Sequence, residues 1–337
     1  MISIDKPIKE IECAEHGQVP ESVYASTEPL VIRGLVADWP LVKMGKKSFR
    51  DAGDYLKCFY QNLPVTASIG DPEIEGRIFY NQDFSGFNYH SVKEDLSLLL
   101  DKIYQCADQQ NPETLYMAST MVDRWLPGFR DQNKLSIDEK RPLVSIWLGN
   151  RTRIAAHYDL PDNIACSAVG RRRFTLFPPN QLANLYPGPI DWAPGGQAIS
   201  LVDFANPDFE KFPNFKKALE SAQTSTLEPG DGLFIPSMWW HHVEGLDDLN
   251  VLVNYWWRQS PSYMDSPANV LMYGLMSIRD LPSEQKQAWR DLFDYYIFDA
   301  DSDSHSHIPE QAKGSLGSID ESLNRKIRSL LLKKINR

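Results

Sequence analysis

The chain has 337 residues, 42% hydrophobic and 24% charged, enough to bury a core without disulfides or structural metals. Its formal net charge of -10 argues against a broad nucleic-acid footprint, because phosphate backbones are bound through clustered cations. The four cysteines (Cys13, Cys58, Cys106, Cys166) form no CxxC pair, which argues against a zinc knuckle and suits reduced thiols. No apolar run reaches the ~18 residues of a membrane span, and MISIDKPIKE lacks the basic-then-apolar order of a secretory signal. A cytoplasmic protein with no membrane partner is expected.

In chain order, residues 29–34 (PLVIRG) read as a strand closed by a glycine turn. Residues 93–107 carry Leu96, Leu99, Leu100, Ile103 and Tyr104 at helical spacing. From about 115 to 258 the texture changes. Apolar runs of strand length at 143–148, 173–177, 232–236 and 250–257 are punctuated by Gly, Pro and Asn, a pattern for a barrel or jelly roll. Beyond Pro261, residues 268–278, 283–298 and 319–335 read as helices. Between the last two, the polar segment 301–308 (DSDSHSHI) reads as a mobile, solvated loop, with His305 and His307 as loop residues rather than ligands.

Two segments carry metal chemistry. In Ala156-His157-Tyr158-Asp159, an extended strand would present His157 and Asp159 on one face and turn Tyr158 away. Two histidines and one carboxylate form the facial set that leaves positions open on non-haem Fe(II). Far downstream, residues 230–243 (GDGLFIPSMWWHHV) run from a turn into an aromatic strand with two adjacent histidines. Neighbours on a strand face opposite sides, so only one of His241 and His242 would ligate; spacing alone does not choose between them.

Two further strands carry polar groups on apolar faces. Arg172 shares a face with Phe174 and Leu176, opposite Arg171, Arg173 and Thr175. A buried guanidinium needs a partner. That partner is either a dicarboxylate gripped in a bidentate fork or an internal Asp or Glu, unless the strand lies at an edge. Asn254 sits between Leu252 and Trp256 on one face, and its amide requires a ligand or a neighbouring strand to bond.

Taken together, AHYDLPDN, GRRRFTLFPPNQLANLYPGP, VDFANPDFEKFPNF, EPGDGLFIPSMWWHHVEGL and VNYWW resemble the JmjC (cupin-8) Fe(II)- and 2-oxoglutarate-dependent oxygenases, and within them an asparaginyl hydroxylase. The resemblance implies a mostly β fold: a double-stranded β-helix (jelly roll) at 115–260, flanked by mixed N-terminal elements at 1–114 and a C-terminal helical segment at 261–337. It implies His157, Asp159 and His241 as catalytic metal ligands. Tyr116, Asn163, Asn254 and Trp256 would line the co-substrate pocket, and Arg172 would bind the distal carboxylate where that relative has a lysine. Fe(II), 2-oxoglutarate and O2 would be the cofactor set, with C–H hydroxylation as the reaction. Ile154, Pro161 and Ala118 depart from that relative, so its substrate is not carried over. A small molecule or a polypeptide is the expected substrate class, and nucleic acid is not expected.

Rival readings are a metal cupin that does not use 2-oxoglutarate and a non-catalytic binding module. Trp239, Trp240, Trp256 and Trp257 read as an aromatic wall or as core. Apolar positions such as Leu275, Ile278, Leu292, Phe293, Ile297, Leu330 and Leu331 give the C-terminal helices faces for homodimerisation or for packing against the barrel.

Overall fold

The computed structural model describes residues 4–137, 140–301 and 303–336. Two compact units follow one another, Met1–Gln259 and Ser260–Arg337.

In the first unit the strands are β1 (Lys9–Glu12), β2 (Leu30–Arg33), β3 (Val65–Gly70), β4 (Arg77–Ile78), β5 (His90–Glu94), β6 (Thr114–Met121) and β7 (Leu143–Gly149). They continue as β8 (Arg153–His157), β9 (Asp162–Val169), β10 (Arg172–Phe177), β11 (Gln223–Leu227), β12 (Gly232–Ile235), β13 (Trp240–Gly245) and β14 (Asn250–Trp257). Among the described residues they form a nine-stranded sheet, β1-β2-β12-β9-β14-β7-β6-β3-β5, and a five-stranded sheet, β11-β10-β13-β8-β4. Most neighbouring strands are not consecutive in the chain, and most pairs are antiparallel, the pattern of a jelly roll. The expected mostly β, double-stranded β-helix core with flanking helices is what the chain forms.

The two inner faces meet in one apolar cluster. Phe174, Leu176 and Val243 of the smaller sheet pack with Ala165, Leu233, Ile235 and Leu252 of the larger. The other side of the larger sheet is covered by helices, among them Leu96–Cys106, which buries Leu99, Leu100 and Ile103 and is capped by Asp95 on the Ser97 amide. Strand β9 lies between β12 and β14 and is buried along its whole length, which gives its sequence no alternation to read. At its end Gly170 turns the chain from the larger sheet into β10, with φ +68°. A Cβ there would sit 2.3 Å from the Leu249 carbonyl oxygen, so this corner, which sets the position of Arg172, requires glycine.

The second unit holds helices Pro267–Ser277, Ser283–Phe293 and Glu321–Ile335. Ser266 and Asp320 cap the first and the last, and a π-helical turn, Asp294–Phe298, extends the second. In the segment expected to be a solvated loop, Ser302 lies outside the described residues, and His305 is buried against the rings of Tyr295 and Tyr296. No helix among the described residues is long and apolar enough to cross a membrane.

Candidate metal centre and its pocket

The metal set begins with one register. β13 pairs antiparallel with β8 so that His241 lies directly opposite His157, with ring centroids 4.2 Å apart. Strand β8 ends at His157, so Asp159 is not on the strand as the alternation assumed. It lies two residues beyond, where the Met238 amide donates to its backbone carbonyl at 2.8 Å. Ser237 secures the same segment, its amide donating to Asp162 and its hydroxyl to the Leu160 carbonyl. Ligand atoms of His157, Asp159 and His241 all lie within 4.8 Å of one another.

The donors are prepared for a metal. Each imidazole approaches the carbonyl two residues back through Nδ1, His157 to Ala155 at 2.9 Å and His241 to Trp239 at 3.1 Å. A carbonyl only accepts, so each Nδ1 carries a proton and Nε2 is the ring atom left to ligate. Burial, and then the adjacent His157 ring, hold His241 neutral by moving its pKa well below the usual imidazole value. The 3.8 Å approach of His241 Nε2 to Asp159 Oδ2 is therefore two ligand atoms facing one gap, not an ion pair.

The alternation also separates the two histidines. His242 points to the other side of β13, where it is buried and stacks on Phe204 at 4.6 Å. His241 is the one that lines the cavity.

That cavity has a volume of about 280 Å³, close to the ~300 Å³ lower end for small-molecule sites. His157, Asp159, His241, Arg172, Tyr116, Asn163, Asn254 and Trp256 all line it. Arg172 lies opposite Gly245 on β13 and Leu176 lies opposite His241, so metal end and cationic end are four strand positions apart. This is ~13 Å of backbone at ~3.3 Å per residue, part of which the long arginine side chain spans.

Arg172 is 2% exposed, on a strand flanked on both sides. Among the described residues its Nε and Nη2 have no hydrogen-bond partner, so neither an internal acid nor an edge position accounts for it. Burial pushes its pKa down to about 10. Tyr116 stacks on Trp147 at 6.2 Å, and burial raises its phenol pKa, which keeps the hydroxyl protonated. Among the described residues the indole nitrogens of Trp147 and Trp256 are buried without partners as well. Among the described residues, four buried N–H donors around this cavity are thus without a partner, a donor set that an anion could satisfy. Asn254 donates to Asn163 Oδ1 at 2.9 Å, a bond between strands β14 and β9, while its own Oδ1 has no partner among the described residues.

Of the four tryptophans read as a wall or core, Trp256 alone lines the cavity among the described residues; Trp239, Trp240 and Trp257 pack in the apolar clusters. Ile154 and Ala118 line it, and Pro161 is not among its walls. Trp147, Ser119 and Gln197 are lining residues that the sequence reading did not single out. Trp147 lies in a strand that was expected, but its indole carries no pattern of its own. Gln197 follows a Pro-Gly-Gly run that marks a loop without saying where the loop goes.

A jelly roll whose cavity holds a His–Asp–His set able to take a metal ion is a cupin architecture. The chain belongs to the family of cupin-like domains, whose model matches residues 17–263, and with it to the JmjC/cupin group. It is 32% identical over 167 residues to lysine-specific demethylase JMJ31 of Arabidopsis thaliana, covering 47% of this chain and 28% of that one. It is 28% identical over 266 residues to HSPB1-associated protein 1 of Homo sapiens, covering 70% and 49%. It is 38% identical over 106 residues to tRNA wybutosine-synthesizing protein 5 of Gallus gallus, covering 32% and 30%. The matches to these curated relatives span half or less of their length.

Proposed function

We propose that the chain is an Fe(II)- and 2-oxoglutarate-dependent hydroxylase. The observation that carries this reading is a single cavity with three metal-ligating side chains at one end and a buried, unpaired guanidinium at the other. His157, Asp159 and His241 would hold Fe(II), because two imidazoles that turn Nε2 toward a shared gap and one carboxylate are the donor set that metal takes while keeping positions open. With 2-oxoglutarate and O2, iron held there would supply the oxidising power for C–H hydroxylation, with succinate and CO2 as co-products. Arg172 and the Tyr116 hydroxyl would receive the distal carboxylate of the co-substrate. The aliphatic walls of Ile154, Val243 and Leu252 would keep water from the reacting end. A metal cupin that does without 2-oxoglutarate would have no use for Arg172 in this setting.

The names of the relatives range from lysine demethylation to tRNA modification and do not converge on one substrate. The acidic balance of this chain favours a polypeptide or a small molecule over nucleic acid. A cytoplasmic location belongs to this proposal and is supported by cysteines that are all free. So does a homodimer through the C-terminal unit, supported by exposed apolar side chains such as Val270, Leu271, Met276, Phe298, Leu331 and Leu332. Succinate release from 2-oxoglutarate, screened over amino acids, peptides and tRNA against the uncoupled background, tests the activity and finds the substrate class. No release above background with any of them would count against hydroxylation of these classes.

A further inference from the structure

Of the three metal-ligating residues, Asp159 alone is not held by a strand. Its backbone is anchored through Met238, but the carboxylate can still turn about its own side-chain bonds. What fixes it is one amide: Gln197 Nε2 donates to Asp159 Oδ1 at 3.2 Å, and among the described residues no other side chain hydrogen-bonds that carboxylate. The second oxygen, Oδ2, faces His241 Nε2 across 3.8 Å.

Gln197 belongs to the segment between the bridged residues Pro187 and Ser200, and its ends are tied down. The Gly188 amide donates to the Ile199 carbonyl at 2.8 Å, and the Ser200 amide to the Ala156 carbonyl on β8 at 2.7 Å. Trp192 packs against Tyr80 at 5.0 Å and Phe87 at 4.9 Å, and the Tyr80 hydroxyl donates to its carbonyl. The tip between these anchors is open: a Cβ added to Gly196 would meet nothing within 4 Å. Pro194, Gly195 and Gln197 nevertheless form part of the cavity wall.

We propose that Gln197 is a positioning residue for the metal centre, its amide occupying one oxygen of Asp159 so that only the other is presented to the ion. This rests on the metal-centre reading above. A carboxylate free to offer both oxygens would take up a coordination position that a co-substrate needs, and one free to swing would hold the ion less firmly. Because the amide is carried by the 187–200 loop, metal retention is tied to where that loop lies. Groups that orient a ligand in this way are worth ~10–100-fold in metal affinity.

The test is a Mn(II) titration of the full chain without co-substrate, followed by electron paramagnetic resonance, for the parent, Gln197→Met and His157→Ala. Gln197→Met keeps the length of the arm and removes its donor. It is expected to weaken Mn(II) binding ~10–100-fold and to shift the visible absorption of the Co(II)-loaded protein, with no change in the melting temperature of the metal-free chain. Parent-like Mn(II) affinity in Gln197→Met would overturn the proposal and leave the metal centre standing. A parent that binds no Mn(II), or a His157→Ala variant that binds it as well as the parent, would overturn the metal centre and the proposal with it.

Discussion

His157 and His241 face each other across the β8–β13 pair, and the ladder between these two strands is what makes them partners. Side chains alternate along a strand, so a slip of one residue would put His242 in the cavity and His241 in the packed layer beside Phe204. The irregularity between His241 and Val243 follows directly after this pair, where the ladder is no longer needed to aim a ligand.

The two histidines should therefore respond oppositely to substitution. His241→Ala is expected to lower Mn(II) or Fe(II) affinity by at least ~100-fold, beyond the ~10–100-fold typical of outer-sphere groups. His242→Phe, which can keep the stack on Phe204, is expected to change it less than threefold. Calorimetric metal titration of the two variants checks this.

Arg172 pulls stability and function apart. The unpaired buried guanidinium costs the ligand-free fold, so Arg172→Leu is expected to raise its unfolding free energy by ~1–3 kcal/mol, the scale of an unsatisfied buried polar group. The same variant should lose the thermal stabilisation that 2-oxoglutarate with Mn(II) gives the parent. Thermal unfolding with and without both ligands measures the two effects together.

Much of this site could be read in the sequence because its chemistry lies in residue types that rarely share a face with core residues. Arg172 beside Phe174 and Leu176, and Asn254 between Leu252 and Trp256, announce themselves by breaking an apolar alternation. The choice between His241 and His242 did not yield to spacing, since it depends on a ladder with a strand more than 80 residues away in the chain. Strand β9 escaped because burial on both sides erases the alternation that identifies half-buried strands. Gln197 escaped because its contact with Asp159 comes from where a loop returns, and no local pattern encodes that. The burial of His305 is of the same kind: a polar run looks solvated until two tyrosines one helix earlier close over it.

On the face of the smaller sheet away from the cavity, Arg173 clamps β10 to β13 through a two-pronged bond to Glu244, at 2.6 and 2.7 Å. Burial raises the Glu244 pKa, but the Arg173 bond, with His242 and nearby charges, outweighs it and holds the carboxyl below its ordinary value of 4.5. A depressed folded-state value means stability that is present above pH ~4.5 and is lost as pH falls through the lower folded value. Glu244→Gln is expected to cost ~1–3 kcal/mol at neutral pH, with the difference from the parent shrinking below pH ~4.5. Urea unfolding across pH 3–7 for both chains measures it.

For the C-terminal unit, the proposed homodimer predicts a solution mass of twice the 38.5 kDa chain. Charging the exposed leucines of Glu321–Ile335, as in Leu331→Glu with Leu332→Glu, is expected to return the 38.5 kDa species, because paired apolar faces do not admit buried, unpaired carboxylates. Sedimentation equilibrium of both proteins decides between the two masses.

The most direct test of the whole account is anaerobic addition of Fe(II) and 2-oxoglutarate to the metal-free chain, followed by visible absorption. A weak charge-transfer band that requires both additions, and that is missing from Asp159→Ala and greatly weakened in Arg172→Leu, is the predicted result. A parent chain that develops no such band with both present, or a band unchanged when Asp159 is removed, would contradict a three-ligand iron site sharing its cavity with a dicarboxylate.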